Sequence, residues 1–392
     1  MIDAVIVDAV RTPMGRGKAG GALSAVHPVE LLASVLGALA TRNRLDRGLV
    51  DDVLIGCVSQ FGEQSNTPGR MALLSAGYPV HVPSTTIERK CGSSQQAIQF
   101  AAQMVMSGQA EIVIAGGVES MSRIPMGSAR MGADVFGPGV AARFAPGLVP
   151  QGVAAELVAN RWEIGREEMD AYAARSHDRA ARAQAAGGFD AEIVPVDTPD
   201  GRVSRDETIR AGTTADSLAG LKISFQSEEM DARFPDMKWG MTAGNSSQLT
   251  DGAAGLLIMA EPVARRLGLR PRARFVAFDV IGDDPLMMLS APIPATRRVL
   301  GKAGLSLGDI DHAEVNEAFA SVPLAWAKEF GADLARLNPR GGAIALGHPL
   351  GASGARIMTT MLNALEQDGG RYGLQTMCEA GGMANATIIE RL

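Results

Sequence analysis

Cysteine is almost missing from this sequence: Cys57, Cys91 and Cys378 are the only three in 392 residues. A sparse, odd-numbered set excludes a disulfide framework and points to a reducing compartment, so a cytoplasmic protein is expected. None of the three stands in a Cys-x-x-Cys pair, and His27, His81, His177, His312 and His348 lack metal-ligand spacing, so no metal site is expected. Positive charge is short as well. With 37 basic against 43 acidic residues the formal charge is -6, and there is no Lys/Arg block to follow a phosphate backbone; nucleic acid is not an expected partner. No apolar run approaches the roughly 20 residues that cross a bilayer. The start, Met1 to Val7, has no basic segment ahead of its apolar stretch, so neither membrane insertion nor a signal peptide is expected. The glycine strings match neither Gly-x-Gly-x-x-Gly nor the phosphate loop with its lysine, which argues against nucleotide chemistry.

What remains is ordinary globular material, 46% hydrophobic and 20% charged. The chain is longer than the roughly 250–300 residues at which one core stops growing, so two packed units are expected. The first third reads as α/β: strands at Ala4 to Val10, Val53 to Val58, Ser84 to Glu88 and Ile112 to Ala115, with helices at Pro28 to Arg42 and about Gly92 to Ser107. From Ser120 to Gly240 glycine, proline and arginine break the pattern around a helix-like stretch, Arg166 to Ala186, which suggests an insertion. Regular patterning resumes at Asp251, and a second unit starts near Arg272.

The two halves repeat one design. Cys91-Gly92-Ser93-Ser94 opens a small-residue helix whose next strand ends at Gly116-Gly117; His348 to Gly354 opens another whose strand ends at Gly381-Gly382. Two such βα units imply a duplicated pair of layers. Cys91 at a helix start would meet free N–H groups and a positive dipole end, which favours thiolate; the alternative is a buried small hydrophobe. His348 stands among glycines that let a ligand approach the backbone. Cys378 ends a strand at a glycine turn, and the mouths of α/β sheets bind ligands. Asn316 ends another strand and would offer a carboxamide, or else simply cap the next helix.

Cys91-Gly92-Ser93-Ser94, Asn316-Glu317-Ala318-Phe319, Gly347-His348-Pro349 and Cys378 with Gly381-Gly382 together resemble the four signature blocks of the thiolase family, in order and separation, over essentially the whole chain. Thr242 to Ser247 and Asp251 to Ala254 are similar to the family's coenzyme A-contacting stretch and the strand after it. The resemblance implies an α/β fold of five layers, αβαβα, with mixed sheets of five strands in each duplicated half. The halves would be 1–119, completed by 241–270, and 271–392, with a loop domain at 120–240. It implies an acyltransferase that joins or splits 3-ketoacyl-CoA, with coenzyme A as co-substrate, no permanently bound cofactor, and a homodimer or homotetramer. Cys91 would be the acyl-carrying nucleophile, His348 its base and Cys378 the base at the α-carbon. His348 and a water on Asn316 would hold the enolate oxygen, and the backbone N–H groups of Cys91 and Ala380 the tetrahedral one. Ser247, Met288, Ala318, Phe319 and Lys222 would contact coenzyme A or substrate, although Lys222 reads equally as a solvated surface lysine.

Two positions depart from the family pattern. Ala380 stands where glycine is usual, which requires a backbone that accepts a Cβ. Pro150-Gln151-Gly152 replaces a His-Met pair typical of acetoacetyl-specific members, which favours broader 3-ketoacyl substrates of fatty-acid or sterol side-chain breakdown over a short-chain biosynthetic role. A decarboxylating ketoacyl synthase would lack Cys378, and a non-catalytic thioester-binding subunit would have lost a signature residue.

Overall fold

The computed structural model describes residues 2–392. Among the described residues ten strands form one mixed sheet. Its main path runs His312–Val315, Tyr372–Glu379, Met383–Arg391, Ala273–Gly282, Ala4–Arg11, Thr250–Ala260, Ile112–Ser120, Asp52–Gly56 and Ser84–Ile87, with Gly15–Arg16 attached to Thr250–Ala260. The path narrows at its middle, where Ala4–Arg11 meets Ala273–Gly282 through only Val5↔Arg274 and Ile6↔Ala273. Two sheets, one per half, are thus joined at a short seam.

The first half holds five strands on this path and the second four, one fewer than the resemblance implies. The missing strand is reduced to a single bridge, Ala313↔Leu337. Asn338 turns to φ 45° directly after it, and Pro339 offers no donor, so the chain leaves the ladder there.

Ile112–Ser120 and Thr250–Ala260 are buried along their whole length, as near-continuous apolar strands covered on both faces should be. The Pro28–Arg42 helix has the expected bounds, set by Pro28 in the first turn and by His27, whose Nδ1 accepts from Val29 N at 3.2 Å. It covers the first sheet, and Pro292–Ala303 covers the second. Between the sheets the Ser93–Met106 and Ser353–Asp368 helices pack on each other, and every residue from Ser353 to Leu365 is buried. The result is the expected αβαβα order. The two central helices touch at Gly354, where a Cβ would lie 2.3 Å from Gln95 N. That close approach brings the starts of both helices to one place.

The segment inserted in the first half carries the Gln151–Arg161 and Arg166–Ala185 helices and the hairpin Val196–Thr198/Gly201–Val203. A fully buried arginine ties it to the core. Arg11 on the first strand donates to Glu192 Oε1 at 2.6 Å and to both oxygens of Asp206, at 2.6 and 2.9 Å.

Candidate active site

Four segments converge where the central helices begin. Cys91 precedes Gly92, the cap of the Ser93–Met106 helix, and packs with Met377 and Ile357. Met377 neighbours Cys378 on the Tyr372–Glu379 strand. Two residues earlier on that strand, Thr376 O accepts from Asn316 N at 3.1 Å. The Asn316 carboxamide Nδ2 lies 3.5 Å from His348 Nε2. All four side chains are nearly sealed: Cys91 and His348 are each 4% exposed, Asn316 2% and Cys378 0%.

This burial sets the protonation states. The Cys91 thiol is pushed up to about 12, first by desolvation and then by the Glu379 carboxyl; its own backbone N–H and the Gln151 side chain offset this only in part. The helix start therefore does not deliver the thiolate that the sequence suggests: local dipole loses to burial, and Cys91 rests as a thiol. Cys378 is likewise raised by burial and by the neighbouring Cys91, so the two sulfurs are close enough to feel each other's charge.

His348 is pushed down to about 3 by burial and by the Arg356 guanidinium, so it rests neutral. Its tautomer follows from its partners. Ser353 Oγ donates to Pro349 O at 2.9 Å, which uses its only hydrogen, so the 2.6 Å contact with His348 Nδ1 is one in which Nδ1–H donates. Nε2 is left bare, facing Asn316 Nδ2. Asn316 Oδ1 has no partner among the described residues, and a buried acceptor of that kind suits a bound water.

Two buried carboxylates fix the loops around these groups. Glu119 accepts from Val58 N at 2.9 Å, Ser59 N at 3.0 Å, Gln64 Nε2 at 2.9 Å and Gly351 N at 2.9 Å, which pins the turn after His348 to the first half. Glu317 accepts from Tyr172 Oη at 2.9 Å, Ser176 Oγ at 2.7 Å, Asn338 Nδ2 at 3.0 Å and Ile344 N at 3.1 Å. The inserted segment, the Asn316 loop and the His348 loop are thus held to one another.

Ala380 has no left-handed backbone; the turn takes that conformation at Gly381 and Gly382, with φ 94° and 78°, so a Cβ at position 380 is accommodated. Ser247 N donates to Ala318 O at 2.9 Å, which joins two of the expected contact residues. Phe319 is buried and meets Phe225 edge-on at 5.8 Å, and Met288 is buried at φ 51°. Lys222 is exposed on the inserted segment, beside Leu221, which lies against Gly244. Sequence reading missed Ser353, Glu119, Glu379 and the role of Glu317. For Ser353 a signal exists, its position at the start of a helix five residues after His348; Glu119 and Glu317 are paired, and Glu379 is buried, by the fold alone.

Residues 4–262 match the family described as Thiolase, N-terminal domain, and residues 269–391 match Thiolase, C-terminal domain. The chain is 47% identical to the steroid 3-ketoacyl-CoA thiolase FadA6 of Mycobacterium tuberculosis, covering 100% of this chain and 95% of that one. It is 45% identical to a 3-ketoacyl-CoA thiolase of Cronobacter sakazakii, covering 99% of each. It superimposes on the crystal structure of the Bacillus anthracis acetyl-CoA acetyltransferase with a TM-score of 0.88 and 38% identity, covering 100% of this chain and 99% of that one.

Proposed function

Since this chain belongs to the thiolase family, we propose that Cys91, His348, Asn316 and Cys378 carry out the thiolytic cleavage of a 3-ketoacyl-CoA, and its reverse, through an acyl group on Cys91. The observation that carries this reading is a pair of buried sulfurs close enough to feel each other's charge, with the bare Nε2 of His348 beside Asn316, whose backbone N–H bonds the strand that carries Cys378.

In the cleavage direction Cys91 passes its proton to His348 Nε2 as the sulfur attacks the 3-keto carbon. A resting thiol raised to about 12 and an imidazole lowered to about 3 do not form a standing ion pair, so proton transfer accompanies attack. The tetrahedral oxygen is held by the N–H groups of Cys91 and Ala380. The bond between C2 and C3 then breaks, and its electron pair moves onto the thioester oxygen as an enolate. That oxygen is held by the new Nε2–H of His348 and by a water on Asn316 Oδ1. Cys378 gives its proton to C2, and acetyl-CoA leaves. A second coenzyme A passes its thiol proton to the Cys378 thiolate and attacks the acyl carbonyl; Cys91 leaves and recovers its proton from Nε2. All three groups return to their starting states.

Ser247 contacts the pantetheine arm, with Met288 and Phe319 on its apolar flank, Ala318 beside them and Lys222 at a phosphate, and the carbons beyond C3 lie toward Gln151. Pro150-Gln151 in place of a His-Met pair, and relatives named for steroid and general 3-ketoacyl substrates, support acyl chains longer than acetoacetyl, as in fatty-acid or sterol side-chain breakdown. Three free cysteines support a reducing, cytoplasmic setting; the family resemblance supports a homodimer or homotetramer and a boundary of the inserted domain near 120 and 240. The test is thiolysis over a 3-ketoacyl-CoA length series with free coenzyme A, alongside mass-spectrometric capture of the acylated peptide. Acyl mass on Cys91 and faster cleavage of the longer substrates are expected; acylation at any other residue ends the assignment.

A further inference from the structure

Glu379 follows Cys378 on the same strand, is 0% exposed, and has no hydrogen-bond partner for either carboxyl oxygen among the described residues. It lies against the residue that follows the nucleophile: a Cβ on Gly92 would stand 2.0 Å from Glu379 Oε1 and 3.0 Å from Asn385 Nδ2. This explains why position 92 takes glycine. Asn385 does not partner the acid: the bond its Nδ2 makes goes to Gly92 O at 3.1 Å, and none reaches either carboxyl oxygen. The charges facing Glu379 come from the stretch ahead of the helix, where Arg89 favours ionisation and Glu88 opposes it; Lys90 is engaged with Glu88 at 3.2 Å. Its strand neighbour is Cys378, and both Cys91 and Cys378 feel its charge.

A carboxylate without a donor is among the most costly groups to bury, so it keeps its proton instead. We propose that Glu379 is an undissociated acid in the working enzyme and that losing its proton on the alkaline side disables both sulfurs. Neutral, it leaves the positive end of the Ser93–Met106 helix to Cys91. Ionised, it cancels that end and sets a negative charge beside two thiols that must each become negative during turnover. Burial, as the largest cause, raises its carboxyl to about 8, which places the change within reach of ordinary buffers. The proposal rests on the roles given above to Cys91 and Cys378, and makes Glu379 a positioning residue that acts through them.

The experiment is alkylation of Cys91 by iodoacetamide without substrate, followed by peptide mass spectrometry across the range from about pH 6.5 to 9.5, for wild type and Glu379→Gln. Gln keeps the shape and stays neutral. The two should match at the acid end, and at the alkaline end the variant should react faster by roughly tenfold, the change that one pH unit in a thiol pKa produces. Glu379→Met, apolar and of similar length, gives the same comparison if Gln does not fold. The wild-type curve alone is also decisive: two ionisations should bend it above about pH 8, whereas a curve fitted by one ionisation, or coincident curves for wild type and variant, overturns the proposal. Because no substrate is present, a failure here is separate from a failure of the thiolase assignment, which is read from acylation.

Discussion

His348 Nδ1 and Ser353 Oγ stand 2.6 Å apart, and the hydroxyl's one hydrogen is committed to Pro349 O. The serine therefore fixes which imidazole nitrogen is bare, and it does so from the first turn of a helix whose residues are buried from Ser353 to Leu365.

Removing that hydroxyl should leave Nδ1–H without an acceptor and free the ring to take the other tautomer. Ser353→Ala is expected to lower kcat about 100-fold, the scale of a displaced general base, while KM changes much less. Ser353→Thr keeps the hydroxyl and should recover most of the loss. Steady-state kinetics on one 3-ketoacyl-CoA decide it; wild-type kcat in the alanine variant would show that the ring orients itself.

Glu317 gathers four donors from two other segments in a fully buried spot. Glu317→Ala would strand Tyr172 Oη, Ser176 Oγ and Ile344 N, each orphaned donor costing about 1–3 kcal/mol, while Asn338 Nδ2 keeps Val315 O at 2.8 Å and Tyr172 Oη at 3.0 Å. Thermal or urea unfolding should show a loss of more than about 3 kcal/mol. A loss comparable to that of a surface substitution would mean that water replaces the carboxylate.

The elements were legible where a short stretch decides its own fate. Pro28 to Arg42 announces its helix through a proline start and regular apolar spacing, and the apolar runs at Ile112 and Asp251 name strands covered on both faces. Cys91, His348 and Cys378 were legible because each adjoins glycines at the end of a strand or the start of a helix. The fifth strand of the second half was not, because Asn338 and Pro339 break a ladder whose neighbour, Ala313, lies far back in sequence. The state of the Cys91 thiol was misread for a related reason: a helix start is local, whereas the burial that outweighs it is assembled by the whole fold. Glu119 holds Gly351 across 232 positions, a pairing that no local pattern encodes.

The buried histidines give stability a predictable response to acid. His348 is held at about 3 in the folded chain, against about 6.5 when unfolded, so between these values the unfolded state binds the extra proton. Stability from this group is complete above about pH 6.5 and is lost as pH falls toward 3. His177, lowered to about 4 by burial and Arg210, adds to the same slope. Unfolding measured from about pH 7 to 4 should therefore be less acid-sensitive in His348→Asn than in wild type, with the His177 part remaining. An unchanged slope would mean that His348 is solvated in the folded chain.

The two sulfurs should separate by what each variant still does. Transfer of an acyl group from acyl-CoA to Cys91 moves the Cys91 proton to His348 Nε2, and the coenzyme A that Cys378 would protonate leaves as a stable thiolate that water can protonate when Cys378 is absent. Proton exchange at C2 of acetyl-CoA requires Cys378, because no other group of the set is left to carry that proton. Cys91→Ala should therefore show neither acylated peptide nor turnover. Cys378→Ala should still carry an acyl group on Cys91 after incubation with an acyl-CoA, yet lose turnover by roughly 1,000-fold or more and fail to wash deuterium into acetyl-CoA. Peptide mass spectrometry reads the first property and mass shift of recovered acetyl-CoA the second. Deuterium entering acetyl-CoA in Cys378→Ala at the wild-type rate would transfer the α-carbon proton to His348, and with it the reason for a second sulfur in the site.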